Sequence, residues 1–276
     1  MKLGCHCVLF GPCIAEEPNE ILQALAQSGC QGVEAGSRFL SGESAGKLVD
    51  ALEHNHLELS GYHIIATFTN LVDNYKAVYQ DIAAACDFLA DKANRNIILT
   101  GMHLKAFTDT EPDSRIHDAD FALSIAQALE KLACYARSCN VLLHYHNHSW
   151  EFEDDALIFK TLFNESKSLL FAMDIGWAAS SGWDVSASLR NHPERFSYLH
   201  LRDYEKNAVD LTADFKARKE VYRELGEGDG FDWPTLLPLM AETVGEDGWL
   251  VVEYETGEQD PLRYKKALDF VRKHLK

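Results

Sequence analysis

The sequence predicts a single-domain α/β protein, a (β/α)8 TIM barrel spanning residues 1–276. Three observations predict it. Strand-like and helix-like segments alternate through eight units, the length suits one large α/β domain, and no Pro/Gly/Ser-rich linker divides the chain. Strands separated by helices pair in parallel, because parallel neighbours need a crossover. Eight such units in about 250 residues match a TIM barrel. A doubly wound open sheet is the alternative, but the GxGxxG that its dinucleotide-binding version places after the first strand is missing.

In order, residues 2–9 (KLGCHCVL) read as a strand and 20–28 as a helix, then 32–35 (GVEA) as a strand and 45–54 as a helix. Residues 57–64 (LELSGYHI) are a strand and the long 75–90 a helix; 96–100 (NIILT) are a strand and 118–138 a helix. The second half repeats the pattern: strands at 141–146, 169–174, 197–201 and 249–253, helices at 155–164, 186–191, 233–243 and 261–274. Short apolar runs suit buried strands, and the longer segments are helix-sized. Two connections, residues 102–117 after strand four and 203–232 after strand seven, are long enough for lids or binding loops. In a barrel both lie over the C-terminal face, where active sites sit.

Composition narrows the function. With 46% hydrophobic and 25% charged residues, the chain has a soluble globular make-up. A net charge of -17 argues against nucleic-acid and anionic-membrane partners. No stretch reaches the ~20 apolar residues of a membrane span, and the N-terminus lacks a signal peptide's apolar core. Seven scattered cysteines suggest reduced, mostly buried thiols and a cytoplasmic protein. Cys5, Cys7 and Cys13 lie close enough for a soft-metal site, but no CxxC spacing supports one. A homo-oligomer is compatible with this composition.

The strongest functional signal lies in the C-terminal half, where four apolar runs each end in His, Asp or Glu. They are VLLHYHNHSWE, LLFAMD, FSYLHLRD and GWLVVEYE. A buried strand has no reason to end in a carboxylate unless something there offsets the desolvation. These residue types bind divalent metals, and four such endings suggest one shared site. Asp174, at the end of LLFAMD, is a candidate ligand rather than a helix cap. His200 is another, with Arg202 on the same face as a binder of substrate oxygens. Glu253 is the inner carboxylate of its strand and the one expected to reach a metal; Glu255, two residues on, reads as a solvated loop acid. His144, His146 and His148 share one face, with His144 deepest. Spacing leaves open whether His146, His148 or Glu151 completes the ligand set. Trp150, Trp177 and Trp183 are candidate apolar faces for a sugar ring. Gly226-Glu227-Gly228 lacks the lysine and serine of a phosphate loop and reads as a turn near substrate.

With YHNHSWEFE, MDIGW, LHLRD, GEGDGFDW and WLVVE in this order, the chain resembles the xylose-isomerase-like TIM-barrel superfamily. The likeness is strongest to its sugar phosphate isomerase/epimerase and inosose dehydratase branch. The resemblance implies a divalent ion (Mn, Co, Mg or Zn) at the C-terminal mouth, held by Asp174, His200 and Glu253. It implies a fourth ligand from strand five, where His146 stands in place of the usual glutamate. It also implies a small carbohydrate or inositol-derived substrate. The expected chemistry is isomerisation or epimerisation through an enediolate that the metal stabilises as a Lewis acid. Glu151, Glu253 and His148 are the candidates for proton transfer, and His146, Arg202 and Trp177 for substrate contact. A dehydratase would use the same intermediate, losing a β-hydroxyl. A non-catalytic barrel is a further alternative. An endonuclease IV-like phosphodiesterase fits least, because the chain has no basic run to hold DNA.

Overall fold

The structure, a computed structural model, describes residues 1–102 and 113–275. Eight parallel strands close into a barrel in chain order. They are β1 (Lys2–His6), β2 (Gly32–Gly36), β3 (Glu58–Thr67), β4 (Asn96–Met102), β5 (Leu142–His146), β6 (Leu170–Asp174), β7 (Tyr198–Leu201) and β8 (Trp249–Val252). Closure is made where Lys2 pairs with Trp249 and Gly4 with Val251. The main outer helices are Pro18–Gln27, Gly42–His54, Tyr75–Leu89, Ala119–Ser138, Glu153–Glu165, Val185–Asn191, Trp233–Val244 and Pro261–His274. Each expected strand and helix is present, with ends shifted by a few residues.

Alternation explains why the strands read as apolar runs. One face points at the helices: Val33, Leu99, Leu143, Phe171, Met173, Leu199 and Leu250 are buried there. The other face fills the barrel, where Ile98, Ala172, Tyr198, Trp249 and Val251 form a separate apolar cluster. Strands covered on both faces lose the polar half of the usual pattern. Gly32 makes room for this plug, since a Cβ there would lie 2.5 Å from the Trp249 ring.

The first strand is shorter than the expected 2–9. The chain turns at His6 into a 3-10 segment, Cys7–Phe10, and His6 Nδ1 accepts the Val8 N–H at 2.8 Å. Cys5 therefore ends in the strand and Cys7 in the turn, and burial raises both thiols. All seven cysteines are free. The first long connection, 102–117, falls largely outside the described residues. The second, 203–232, is not structureless. It holds an antiparallel pair, Asp203–Tyr204 with Tyr222–Arg223, and a short helix, Phe215–Arg218. Elements this short carry no periodicity to read. Among the described residues no helix is long and apolar enough to cross a membrane.

Candidate metal centre

The C-terminal rim of the barrel is polar on every strand. His6, Glu34, His63, Thr100, His146, Asp174 and His200 come from β1 to β7, and Glu253 follows the last residue of β8. All eight are buried or nearly so. Alternation puts them on the inward face, one step above the apolar plug. Burying so many ionisable groups is costly unless they neutralise one another or hold an ion.

Four of them converge. Ligand atoms of His146, Asp174, His200 and Glu253 all lie within 4.8 Å of one another. His200 Nδ1 is 2.8 Å from Glu253 Oε2, and His146 Nε2 is 4.0 Å from the same oxygen. On its other side His200 donates Nε2–H to Glu34 Oε2 at 2.6 Å. Because a carboxylate only accepts, this contact places the hydrogen on Nε2 and leaves Nδ1 able to present a lone pair to the cluster. Both ring nitrogens of His146, His200 Nδ1 and Glu253 Oε2 are buried without a hydrogen-bond partner. Buried polar atoms crowded together in this way suit a bound cation. Two imidazoles and two carboxylates match the donors that zinc and manganese take.

The electrostatics without an ion agree with this. Burial opposes charge on His200, but Glu34 and Glu253 outweigh it and raise the imidazole to about 10. A proton then occupies the place that a metal would take, and metal binding would release it. Burial holds His146 well below its ordinary range, so its nitrogens stay neutral. Burial raises Asp174 to about 6 against the pull of Arg202. Burial also works against the Glu253 carboxylate, yet His6, Arg202 and His200 hold it well below the carboxylate range.

Arg202 lies in the site but is already engaged. Its Nε donates to Asp174 Oδ2 at 2.9 Å, and one terminal nitrogen reaches Glu255 at 2.8 Å and Glu253 at 3.2 Å. Glu255 is not a solvated loop acid: it is buried against Arg202 and Lys219. Asp174 also caps the following turn, accepting Trp177 N–H at 2.8 Å. Trp177 is fully buried and stacks on Phe215 at 5.1 Å, so the 203–232 segment closes over this side of the site. Trp150 stacks on His148 beneath it, while Trp183 packs away against Phe152 and Phe159.

Of the three histidines on β5 and its extension, His146 alone joins the cluster. His144 lies deeper, at 3.2 Å from Asn96 Oδ1. His148 sits 4.9 Å from the His146 ring with Nδ1 unpartnered, and burial lowers it to about 3. Glu151 is not brought into the cluster. It accepts the Tyr145 hydroxyl at 2.6 Å and the His148 backbone N–H at 2.8 Å. Burial raises it to about 8 from 4.5. A carboxyl raised in this way contributes stability that is complete below the unfolded value and is lost as pH rises through about 8. Glu151→Gln is uncharged at every pH. Urea midpoints at pH 6 and pH 9 should therefore fall further in the parent than in the variant. Equal losses would show that Glu151 does not ionise in this window.

Sequence reasoning missed the β1–β3 contribution. Glu34 is fully buried and gathers His200, the Tyr198 hydroxyl at 2.8 Å, His63 Nδ1 at 2.8 Å and His6 Nε2 at 3.1 Å. The signal was present: GVEAG is a carboxylate inside an apolar strand, the same anomaly as WLVVE. His6, Glu34 and His63 also lie within 4.8 Å of one another. The Val8 N–H on His6 Nδ1, however, puts the His6 hydrogen on Nε2 and makes that atom a donor. His6 Nε2 thus donates to His63 Nδ1 at 2.7 Å, and Glu34 supports His200 through Oε2, while Glu34 Oε1 has no hydrogen-bond partner among the described residues.

Comparison with known proteins agrees with this fold. The profile described as xylose isomerase-like TIM barrel matches residues 22–274. An inosose dehydratase of Clostridium perfringens is 24% identical over 268 residues, covering 91% of this chain and 83% of that protein. Among solved structures, a sugar phosphate isomerase/epimerase from Parabacteroides distasonis aligns with a TM-score of 0.75 at 16% identity, covering 100% of this chain and 96% of that one. The IolI protein, solved with a bound zinc atom, aligns at 0.67 with 14% identity, covering 99% and 96%. At such identities the structural likeness is one of fold.

Proposed function

Because the chain belongs to the xylose isomerase-like TIM barrel family, we propose that it is a metal-dependent isomerase or epimerase of a sugar-like polyhydroxy ketone. The observation that carries this reading is the convergence of His146, Asp174, His200 and Glu253 with His146 unpartnered at both nitrogens. A non-catalytic barrel would gain nothing from a buried imidazole in that state. A divalent ion held by these four residues would supply Lewis-acid polarisation of a carbonyl.

The chain's own residues do the rest. Glu34 fixes the His200 tautomer. Arg202 holds Asp174 and Glu253 in place and balances their charge. Trp177 and Phe215 keep water from one side of the site. Glu253 faces the cluster as a ligand, and Glu151 is turned away from it. His148 is the remaining candidate for moving the proton on the carbon beside the carbonyl: it is neutral and lies next to His146. Losing a general base costs about 10²–10⁴-fold in rate. His148→Gln should slow deuterium uptake from heavy water into a ketose or inosose by that factor while leaving metal content unchanged. Parent-like exchange in the variant would remove His148 from this role. No exchange by the parent across a broad panel would remove the enzyme reading.

Dehydration is the second reading, favoured by the inosose dehydratase relative, which aligns over most of both chains. Proton removal at the same carbon followed by loss of a β-hydroxyl would give an unsaturated ketone. Its ultraviolet absorbance distinguishes this outcome from exchange without net change.

A further inference from the structure

We propose that the cleft over the ends of β1, β2 and β3 receives the substrate, and that Arg38 binds a carboxylate or phosphate group on it. The inference rests on the sugar-acting reading above and adds the place and charge of the substrate. The cleft holds about 250 Å³, close to the lower end of small-molecule sites. His6 and His63 line it, and both belong to the polar rim that carries the candidate metal ligands. The His63 ring lies 5.8 Å from that of His146, and the His6 ring 5.8 Å from that of His200. A molecule in the cleft therefore abuts the metal cluster from the β1–β3 side, while Trp177 and Phe215 cover the opposite side.

The walls suit a sugar with a charged end. Val8, Phe39 and Ile65 offer apolar surface, and Ile65 is 54% exposed at the mouth of a buried barrel. Arg38 supplies the charge. Its guanidinium lies over the Phe39 ring at 4.5 Å, which restrains it. Arg38 is exposed and, among the described residues, has no carboxylate partner; Arg137, Arg190, Arg195 and Arg218 also lack one, but of these only Arg38 lines the cleft. A cation on the wall of a cleft that also holds His6 and His63, beside the candidate metal cluster, suits an anionic group on the molecule that fills it. The planar fork of Arg matches both carboxylate and phosphate oxygens.

The test is calorimetric titration of the full-length protein with fructose 6-phosphate, glucuronate and fructose. It is repeated on Arg38→Met, which keeps the apolar stem, and Arg38→Lys, which keeps the charge. At least one anionic probe should bind the parent roughly tenfold or more tightly than fructose, the scale of one charge-assisted contact. The Met variant should lose that preference and the Lys variant should keep part of it. The stronger anion tells phosphate from carboxylate. Equal or absent binding of the three probes by the parent would overturn the proposal, as would a preference that survives in Arg38→Met. Metal content is measured on the same samples. Full metal with no anion preference sinks this proposal alone, and anion preference without metal sinks only the metal-dependent reading.

Discussion

Replacing His146 with alanine is expected to abolish tight binding of zinc or manganese while leaving the metal-free protein close to parental stability. Both imidazole nitrogens are buried and unpartnered, so the side chain carries a desolvation cost that no contact within the protein offsets. Truncation removes packing but also relieves that cost. The metal-loaded state, in contrast, loses one of four converging donors. Loss of a ligand should weaken binding by more than the roughly 10–100-fold typical of an outer-shell partner. At zinc a hundredfold above its Kd, the parent should gain about 2.7 kcal/mol, which raises Tm by roughly 5–10 °C. The variant should gain almost nothing. Metal analysis after dialysis, with melting curves with and without zinc, checks both halves. A variant that keeps stoichiometric metal refutes the ligand assignment. Asp174→Ala is a less clean probe, because Asp174 also pairs with Arg202 and caps the Trp177 turn. Its loss leaves a buried guanidinium short of a partner, a defect of about 3–5 kcal/mol in itself.

The second large effect is structural. Asp203→Ala should cost roughly 3–5 kcal/mol and loosen the segment that closes over the site. The carboxylate is fully buried and accepts four hydrogen bonds. Tyr204 N donates to Oδ1 at 2.8 Å; Gly226 N at 2.9 Å, Gly228 N at 3.2 Å and Trp233 Nε1 at 2.9 Å donate to Oδ2. It ties the start of the 203–232 segment to its end. Gly228 is needed for that approach, since a Cβ there would lie 2.6 Å from Asp203 Oδ1. Alanine would leave several buried donors unpaired, at about 1–3 kcal/mol each before water enters. Urea unfolding gives the cost, and limited proteolysis should cut first between residues 205 and 221. A variant with parental stability and no new cleavage would show that the segment is held by its aromatic contacts instead.

Most of the fold is legible in the sequence. Segment lengths and apolar runs are local properties, so the eight strands and their helices can be counted without knowing how they pack. The same logic finds Asp174, His200 and Glu253, because a carboxylate or imidazole ending an apolar strand is a local anomaly. It applies equally to Glu34, a carboxylate inside the apolar run GVEAG, though no motif accompanies it. The role of Asp203 as the tie of the 203–232 segment is not legible in this way, because three of its four donors, Gly226 N, Gly228 N and Trp233 Nε1, lie more than twenty residues away.

The sequence by itself determined the barrel, its order of strands and the polar ends of β5 to β8, since alternation and length act within a few residues. Only the tertiary structure decided which of His146, His148 and Glu151 joins Asp174, His200 and Glu253 in one cluster. That choice depends on which neighbour each side chain meets: Tyr145 and the His148 amide hold Glu151, Trp150 stacks on His148, and among the described residues no hydrogen bond holds His146. Only the structure, too, set the tautomer of His200, because the carboxylate that fixes it comes from a strand 166 residues earlier in the chain. Directional contacts between distant strands leave no periodic trace, and ring closure brings them together.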